Sequence, residues 1–317
     1  MIYTLTLNLA IDITYETGYL SKDSINKAEI KTASVGGKGI NISRALSCLG
    51  IKSLAFGFCG GNFYDFIVNT LASENIKTDF TKTKGASRIN IKIIEKKEKN
   101  LIELNEIGPF IHKSETKLLM DKIRTLPKKG DIFVIGGSLP RNTDVSIYKK
   151  IISILKKKEV SVLLDSSGAP LSEGLLSLPE ILKINLKELK EVNKISDDKN
   201  NRREIVDILE KYIADGIKKI MITNGSREVI YCDKNSCITA KPPHVEGRIS
   251  STGSGDSVNA GFIYSMLNGY SAEDTLKFSV SCGSANLLND TPGQIQLNEV
   301  KRLVKKVKTK KIFKNFL

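Results

Sequence analysis

The spacing of polar and apolar residues changes period several times along this chain, and each change marks an element. Residues 2–9, Ile2-Tyr3-Thr4-Leu5-Thr6-Leu7-Asn8-Leu9, alternate and predict a first strand. Asn8 and Asp12 follow at its end, and from Asp12 to Lys31 the chain is polar and mixed. A glycine-rich turn, Gly36-Gly37-Lys38-Gly39, then opens an amphipathic helix that carries Ile40, Ala45, Leu46 and Leu49 at helical spacing and stops at Gly50. Leu54–Phe58 predicts a buried strand, 62–75 a helix and 79–84 a short strand. Ser87 to Ile94 alternates strictly, with Ile89, Ile91 and Ile93 on one face and Arg88, Asn90 and Lys92 on the other. Across the turn 96–100, Leu101–Asn105 returns as a hairpin partner.

From residue 112 onward helix and strand alternate. The predicted order is helix 113–126, strand 131–136, helix 144–158, strand 160–165, helix 202–215 and strand 217–223. A hairpin over 229–241 and helices over 256–268, 272–288 and 297–309 complete the chain. This alternation predicts an α/β fold, a mostly parallel central sheet with helices on both faces. Turn signals follow the strands at Gly136-Gly137-Ser138-Leu139-Pro140, at Asp165-Ser166-Ser167-Gly168, at Asn185 and at Thr223-Asn224-Gly225. All fall on the carboxyl edge of one sheet, where open α/β sheets bind ligands. No internal repeat or low-complexity linker interrupts the pattern. The expectation is one domain over 1–317, with a small β lid formed by insertions at about 13–33 and 86–106.

Composition narrows the class. A chain of 317 residues with 40% apolar and 26% charged residues can bury a large core and reads as soluble and globular. No apolar run reaches the ~18 residues of a membrane span, and the alternating start lacks a signal-peptide pattern. The five cysteines, Cys48, Cys59, Cys232, Cys237 and Cys282, are scattered without a Cys-x-x-Cys pair. A zinc site or disulfide framework is therefore not expected, and a reducing, cytoplasmic location fits. The two histidines, His112 and His244, read as surface residues. The net charge of +14 includes clusters at Lys156-Lys157-Lys158 and from Lys301 to Lys314. Without interleaved aromatics or an arginine-rich strip, this charge reads as a solvated face that steers small anions, not as a nucleic-acid surface.

The chemistry centres on Ser250-Ser251-Thr252-Gly253-Ser254-Gly255-Asp256-Ser257, which leads through Val258-Asn259-Ala260-Gly261 into an apolar helix. A glycine-rich loop feeding a helix N-terminus offers N–H groups and a positive dipole end to a phosphate. Asp256 would repel an anion that is merely bound there. Two roles fit it: a base taking the proton of a neighbouring hydroxyl, or a helix cap. There is no Gly-x4-Gly-Lys-Ser/Thr, Gly253-x-Gly255 lacks the third glycine of a dinucleotide loop, and two histidines build no plausible Ser-His-Asp set. Phosphoryl transfer remains, which needs a base, an electropositive cradle, a metal and a positioned acceptor. Asp256 can be the base, and the N–H groups of Gly253, Ser254 and Gly255 the cradle. Asn185 and Glu188 suit Mg²⁺ through water, or equally a capping box. The polar row Arg88, Asn90, Lys92 suits a lid over a phosphorylated ligand, or equally a solvated outer face.

Taken together, the chain resembles the ribokinase-like sugar kinases, in the branch of 1-phosphofructokinase and tagatose-6-phosphate kinase. The resemblance runs from Thr4 to about Gln294. It is carried by Thr6-Leu7-Asn8 with Asp12, Gly36-Gly37-Lys38-Gly39-Ile40-Asn41, Arg88-x-Asn90-x-Lys92, Glu103-Leu104-Asn105-Glu106-x-Gly108-Pro109, Gly137-Ser138-Leu139-Pro140, Asp165-Ser166-Ser167-Gly168, Asn185-x-x-Glu188 and Gly253-Ser254-Gly255-Asp256-Ser257. It implies a three-layer fold whose β lid pairs between two subunits, and an ATP- and Mg²⁺-dependent kinase acting on a ketohexose phosphate. Asp256 would be the catalytic base, with Gly253, Ser254 and Gly255 as the anion hole. Asp12, Gly37, Lys38, Asn41 and Ser138 would hold the sugar, and Arg88, Asn90 and Lys92 its phosphate. Lys183, Asn185, Thr223, Gly225, Ser251, Thr252, Gly283 and Asn286 would lie by ATP together with Gly253 and Gly255. Glu103-Leu104-Asn105-Glu106 resembles the fructose branch, which implies fructose 1-phosphate as acceptor, with tagatose 6-phosphate second. The chain departs from the family pattern at Leu9, usually proline, at Glu228, usually glycine, and at Ser254, often alanine. A basic nucleic-acid-binding protein without catalysis is the rival from another class, resting on Lys301 to Lys314.

Overall fold

A computed structural model of the chain describes residues 1–97, 100–196, 202–246 and 251–313. Glu98 and Lys99 of the predicted turn, Ser250 of the glycine-rich stretch and Lys314 of the basic cluster lie outside the described residues. The first half of the chain runs β1 (Ile2–Thr6), β2 (Ala10–Thr17), β3 (Glu29–Gly36), α1 (Lys38–Cys48), β4 (Leu54–Gly60), α2 (Tyr64–Ser73), β5 (Lys77–Thr83), β6 (Arg88–Glu95), β7 (Asn100–Asn105) and α3 (Lys113–Thr125). Then follow β8 (Ile132–Gly136), α4 (Ile147–Lys157), β9 (Ser161–Asp165), α5 (Gly168–Leu175), β10 (Ile181–Asn185), α6 (Leu186–Asn193) and α7 (Arg202–Ala214). The last segment holds β11 (Lys219–Thr223), β12 (Val229–Asp233), β13 (Cys237–Ala240), α8 (Ser254–Leu267), α9 (Ala272–Ala285), α10 (Leu297–Val304) and β14 (Thr309–Phe313).

Ten strands form the central sheet in the order β14-β13-β12-β11-β10-β9-β8-β1-β4-β5. The stretch from β11 to β5 is parallel, while β12, β13 and β14 add antiparallel neighbours at one end. Both faces are covered, so the strands alternate between two apolar cores. In β8, Phe133 and Ile135 enter the core under α3 to α7, while Ile132 and Val134 enter the core under α1, α8, α9 and α10. The predicted three-layer architecture is therefore the observed one. Register aligns Thr6 with Gly136 and Gly136 with Asp165, and Asn185 with Thr223, so the turn signals do share one edge. The chain order reverses at β1, which lies between β8 and β4, and a cleft opens at such a switch point.

The second sheet, in the order β3-β2-β6-β7, is the lid. It joins the insertions expected at 13–33 and 86–106, and β2 pairs with β6 in parallel along its whole length. Register places Asp12 beside Asn90 and Lys92 beside Glu103 on one face, and Ile13, Ile91 and Leu104 on the other.

Three expectations need correction. The first strand stops at Thr6, because Leu7 and Leu9 turn the chain into the lid strand β2. The last helix stops at Val304, short of residue 309, and Thr309–Phe313 instead pairs with β13 as a lysine-bearing edge strand, where charge guards an open edge. The cysteines are not all free: Cys232 and Cys237 form a disulfide, because the β12–β13 register sets them opposite each other. His112 is exposed, as expected, and its backbone N–H donates to the Glu115 carboxylate at 2.7 Å at the start of α3. Among the described residues, no helix is long and apolar enough to cross a membrane.

The packing of β1 on β4 generates a first test. Gly57 has φ +138°, and a Cβ there would lie 1.9 Å from the Thr6 carbonyl oxygen. Gly57→Ala is expected to cost about 2–4 kcal/mol of stability through backbone strain and overpacking, read as a lower denaturant midpoint at unchanged slope.

Candidate active site

The cleft is floored by the carboxyl edge of the sheet and by the N-terminal turn of α8. Gly253 precedes α8 with φ +85°, and a Cβ there would meet Pro292 and the Gly293 nitrogen at 2.8 Å. The loop is thus pressed against the 292–293 turn, which only glycine permits. Asp256 sits in the first turn but does not cap the helix, since the cap position makes no side-chain hydrogen bond. Its carboxylate instead points across to α1. Asn41 Nδ2 donates to Asp256 Oδ2 at 2.8 Å, and Lys38 Nζ lies 3.6 Å from Oδ1. This geometry removes the capping alternative. Burial pushes the Asp256 carboxyl above its ordinary value, against the pull of Lys38.

Behind Asp256 lies a second buried carboxylate, Asp165 at the end of β9. Lys38 Nζ donates to its Oδ1 at 3.0 Å, Lys183 Nζ lies 3.1 Å from Oδ2, and Asn259 Nδ2 donates to Oδ2 at 2.6 Å. Burial works against this charge, yet Lys183 and Lys38 outweigh it and hold the carboxyl below its ordinary value. Burial also opposes the Lys38 charge, but Asp165 and Asp256 together raise its pKa.

The lid closes the cleft from above. Asn90 Nδ2 donates to Asp12 Oδ1 at 2.8 Å. Burial raises the Asp12 pKa, opposed by that hydrogen bond and by the charges of Lys92 and Arg88. Arg88 donates to the carbonyls of Asn8 and Glu106. Lys92 donates to the Thr252 hydroxyl on the glycine-rich loop and pairs with Glu103 at 3.1 Å. The polar row therefore faces inward, and the outer-face alternative for it falls. Asn8 Nδ2, in turn, donates to the Ser138 hydroxyl at 3.1 Å, which fixes the Gly137–Leu139 turn at the same edge.

On the far side of α8 a cavity of about 1050 Å³ is lined by Thr223, Gly225, Ser251, Ser254, Gly255 and Gly283. Of these, Thr223, Gly225, Ser251, Gly255 and Gly283 were expected beside a nucleotide, and Ser254 in the anion hole. Pro242, Pro243, Val245, Val280 and Leu287 give the cavity an apolar wall, and His244 lines it too. These residues were not anticipated. Apolar residues scattered over a loop and two helices carry no periodic signal of their own. Glu228 and Arg227 both line the cavity, so the carboxylate that replaces the usual glycine does face the bound volume. Asn286 and Thr252 play a different part. Asn286 Nδ2 donates to the Thr252 carbonyl at 3.0 Å and to the Ser254 hydroxyl at 3.1 Å, so it braces the loop from behind. The Ser254 N–H turns back onto the Ser251 carbonyl at 3.0 Å. Asn185 and Glu188 form the capping box of α6: each side-chain oxygen accepts a backbone N–H, at 2.8 and 2.9 Å. The Glu188 charge still reaches Lys38. Among the described residues, no group of three or more His, Cys, Asp or Glu side chains is arranged to hold a metal.

A buried arginine that sequence reading passed over ties these parts together. Arg44, one turn after Asn41, donates to the carbonyls of Pro292 and Val35 at 2.8 Å and binds Glu74 through Nε and Nη2. It anchors the turn under Gly253 to the helix that holds Asp256. Arg44→Met is expected to lose about 3 kcal/mol by stranding buried acceptors, and Arg44→Lys, lacking the planar fork, is expected to recover less than half of that in denaturant melts.

The pfkB family carbohydrate kinase pattern matches residues 5–294. The chain is 34% identical to a 1-phosphofructokinase of Borreliella burgdorferi, over 99% of both chains. It is 32% identical to a D-tagatose-1-phosphate kinase of Bacillus licheniformis, over 95% of this chain and 100% of that one. Among solved structures, phosphofructokinase-2 of Escherichia coli superposes with a TM-score of 0.89 at 25% identity, over 96% of this chain and 98% of that one. The same bacterial enzyme is also known in a tetrameric inhibited form, with a TM-score of 0.88.

Proposed function

The chain belongs to the pfkB family of carbohydrate kinases, and from that premise we propose that it transfers the γ-phosphoryl group of ATP to a ketohexose phosphate, fructose 1-phosphate to fructose 1,6-bisphosphate. The observation that carries this reading is the Asp256 carboxylate, held by Asn41 and Lys38 in the first turn of the helix whose Ser254 and Gly255 line the large cavity. Asp12, Lys38 and Ser138 line the sugar side. Arg88, Asn90 and Lys92 supply the polar row that receives the phosphate the sugar already carries. Asp256 takes the proton of the free terminal hydroxyl, and that oxygen attacks the γ-phosphorus in line. The N–H groups of Gly253 and Gly255 stabilise the transferring group, since the Ser254 N–H is committed to its own turn.

The nucleotide fits the cavity because an apolar wall lies at one end and a helix N-terminus at the other, matching a base and a phosphate chain. A Mg²⁺ ion carried by the nucleotide would supply positive charge beside the phosphates; Glu188, whose charge is felt at Lys38, would be the residue to hold it through water, with Asn185 orienting Glu188 through the capping box. A second acceptor, tagatose 6-phosphate, is favoured by 29% identity to a tagatose-6-phosphate kinase of Staphylococcus epidermidis, over 97% of this chain. A phosphate at one end of either ketose leaves a hydroxyl free at the other. We assign the assembly as a homodimer through the lid, whose outer face leaves Ile30 at 61% and Leu104 at 56% exposure.

Replacing the base tests the mechanism. Asp256→Asn is expected to lower kcat by roughly 10²–10⁴-fold with KM for ATP little changed. The pH profile gives the sign. The base works only when ionised, so kcat/KM falls as pH drops through the Asp256 pKa. Burial sets that acid limb above the ordinary carboxylate value of about 3.9. Lys38→Met removes the largest stabilising charge and is expected to move the limb higher still. Unchanged turnover in Asp256→Asn would refute the role. Specificity constants for the two ketose phosphates, measured in one coupled assay, decide between the acceptors.

A further inference from the structure

The scheme above leaves Asp165 without a part. It is 1% exposed, and burying a carboxylate this fully is expensive unless cations answer it. Its two oxygens are divided between two ammonium groups that come from opposite sides of the cleft. Lys38, at the start of α1, pairs with Oδ1 and lies 3.6 Å from the Asp256 carboxylate. Lys183, on β10, pairs with Oδ2 and lies behind the anion loop, where a Cβ on Gly255 would come within 3.0 Å of Nζ. The third contact, from Asn259 on α8, fixes the carboxylate to the same helix that carries Asp256.

The charges in this cluster balance at rest: Lys38 and Lys183 against Asp165 and Asp256. Reaction breaks the balance at a defined moment. The acceptor O–H proton passes to Asp256, the acceptor oxygen bonds the γ-phosphorus, and the bond from phosphorus to the ADP oxygen breaks. Once Asp256 is neutral, the cluster carries one surplus positive charge beside the group in transit. We propose that Asp165 is a positioning residue for phosphoryl transfer, holding Lys38 against the base and Lys183 beneath the anion loop so that this surplus appears between base and phosphoryl group. Without it, the two ammonium groups act mainly on Asp256, with Glu188 the weakest of the carboxylates felt at Lys38, and the base would be held ionised and slow to accept a proton. The groups facing Asp256 are Lys38 and Asn41 from α1, Asp165 from β9 and Lys183 from β10. Of these, Asp165 alone carries like charge and so keeps the base receptive.

This proposal rests on the kinase reading, and the test separates the two. Asp165→Asn preserves shape and removes the charge. In the substrate-free chain labelled with ¹³C-aspartate, the Asp256 carboxyl, assigned by its loss in Asp256→Asn, is expected to titrate at lower pH than in the unaltered chain. With ATP and the ketose phosphate, kcat is expected to fall about 10²-fold while both KM values stay within about threefold, and the acid limb moves in the same direction. Two buried lysines left without an anion can prevent folding. The double variant Asp165→Asn, Lys183→Met restores neutrality and is expected to show the same downward titration, because Asp165 acts on Asp256 more strongly than Lys183 does. An unmoved Asp256 titration together with kcat within about twofold of the unaltered chain overturns the proposal. An unaltered chain that phosphorylates no ketohexose phosphate overturns the kinase reading instead, and the substrate-free titration still judges Asp165.

Discussion

A carboxylate taken out of water survives only where cations and N–H donors replace the water, and the centre of this molecule is arranged around two such carboxylates. Asp165 and Asp256 come from β9 and α8, and the groups that answer them come from α1, β10 and α8 itself. Four segments far apart in sequence must therefore be in place before either charge is tolerable. The cost of leaving one partner out is several kcal/mol, a large share of what holds a domain together. This gives the cleft its rigidity. Arg44 extends the same logic outward, tying α1 to the turn beneath Gly253 and to the end of α2.

The sheet explains why those segments meet. Seven parallel strands end on one edge, and the chain reverses direction of travel at β1, so that edge opens into a cleft. The lid completes it. Its inner face places Asp12, Asn90 and Lys92 over the floor, and the contact of Lys92 with Thr252 joins lid and anion loop directly. The outer face of the lid is apolar, which a lone subunit would expose. The proposed acceptor site and the proposed subunit contact thus fall on opposite faces of one small sheet.

Two of the three departures from the family pattern, Glu228 and Ser254, fall on the wall of the large cavity. Glu228 stands on the cavity wall, near the apolar residues from 242 to 245 that no periodicity marked. The conformational demand on Gly253 is met by close packing on Pro292 and Gly293, and Ser254 in place of alanine finds a partner in Asn286. The helix start tolerates the hydroxyl because it is used as an acceptor and not left buried alone.

Much of this was legible in the order of residues. The period of apolar positions identified the parallel sheet and its two helical layers, because burial on both faces leaves a readable repeat. The polar row at Arg88, Asn90 and Lys92 and the glycine-rich loop before Asp256 were visible for the same reason: local geometry dictates local composition. Other features had no local trace. Asp165 reads as a turn signal and Lys183 as a residue by ATP, but nothing pairs them until register brings them within 3.1 Å. Cys232 and Cys237 become partners through hairpin register, and residues 309–313 become a strand because β13 offers them an open edge. Asn185 and Glu188 suited either metal or capping, and in the folded chain they form the capping box of α6. A residue's identity limits the charge and hydrogen bonds it can offer. Which of those offers is taken up depends on what the rest of the chain brings within about 3 Å, and no stretch of sequence contains that distance.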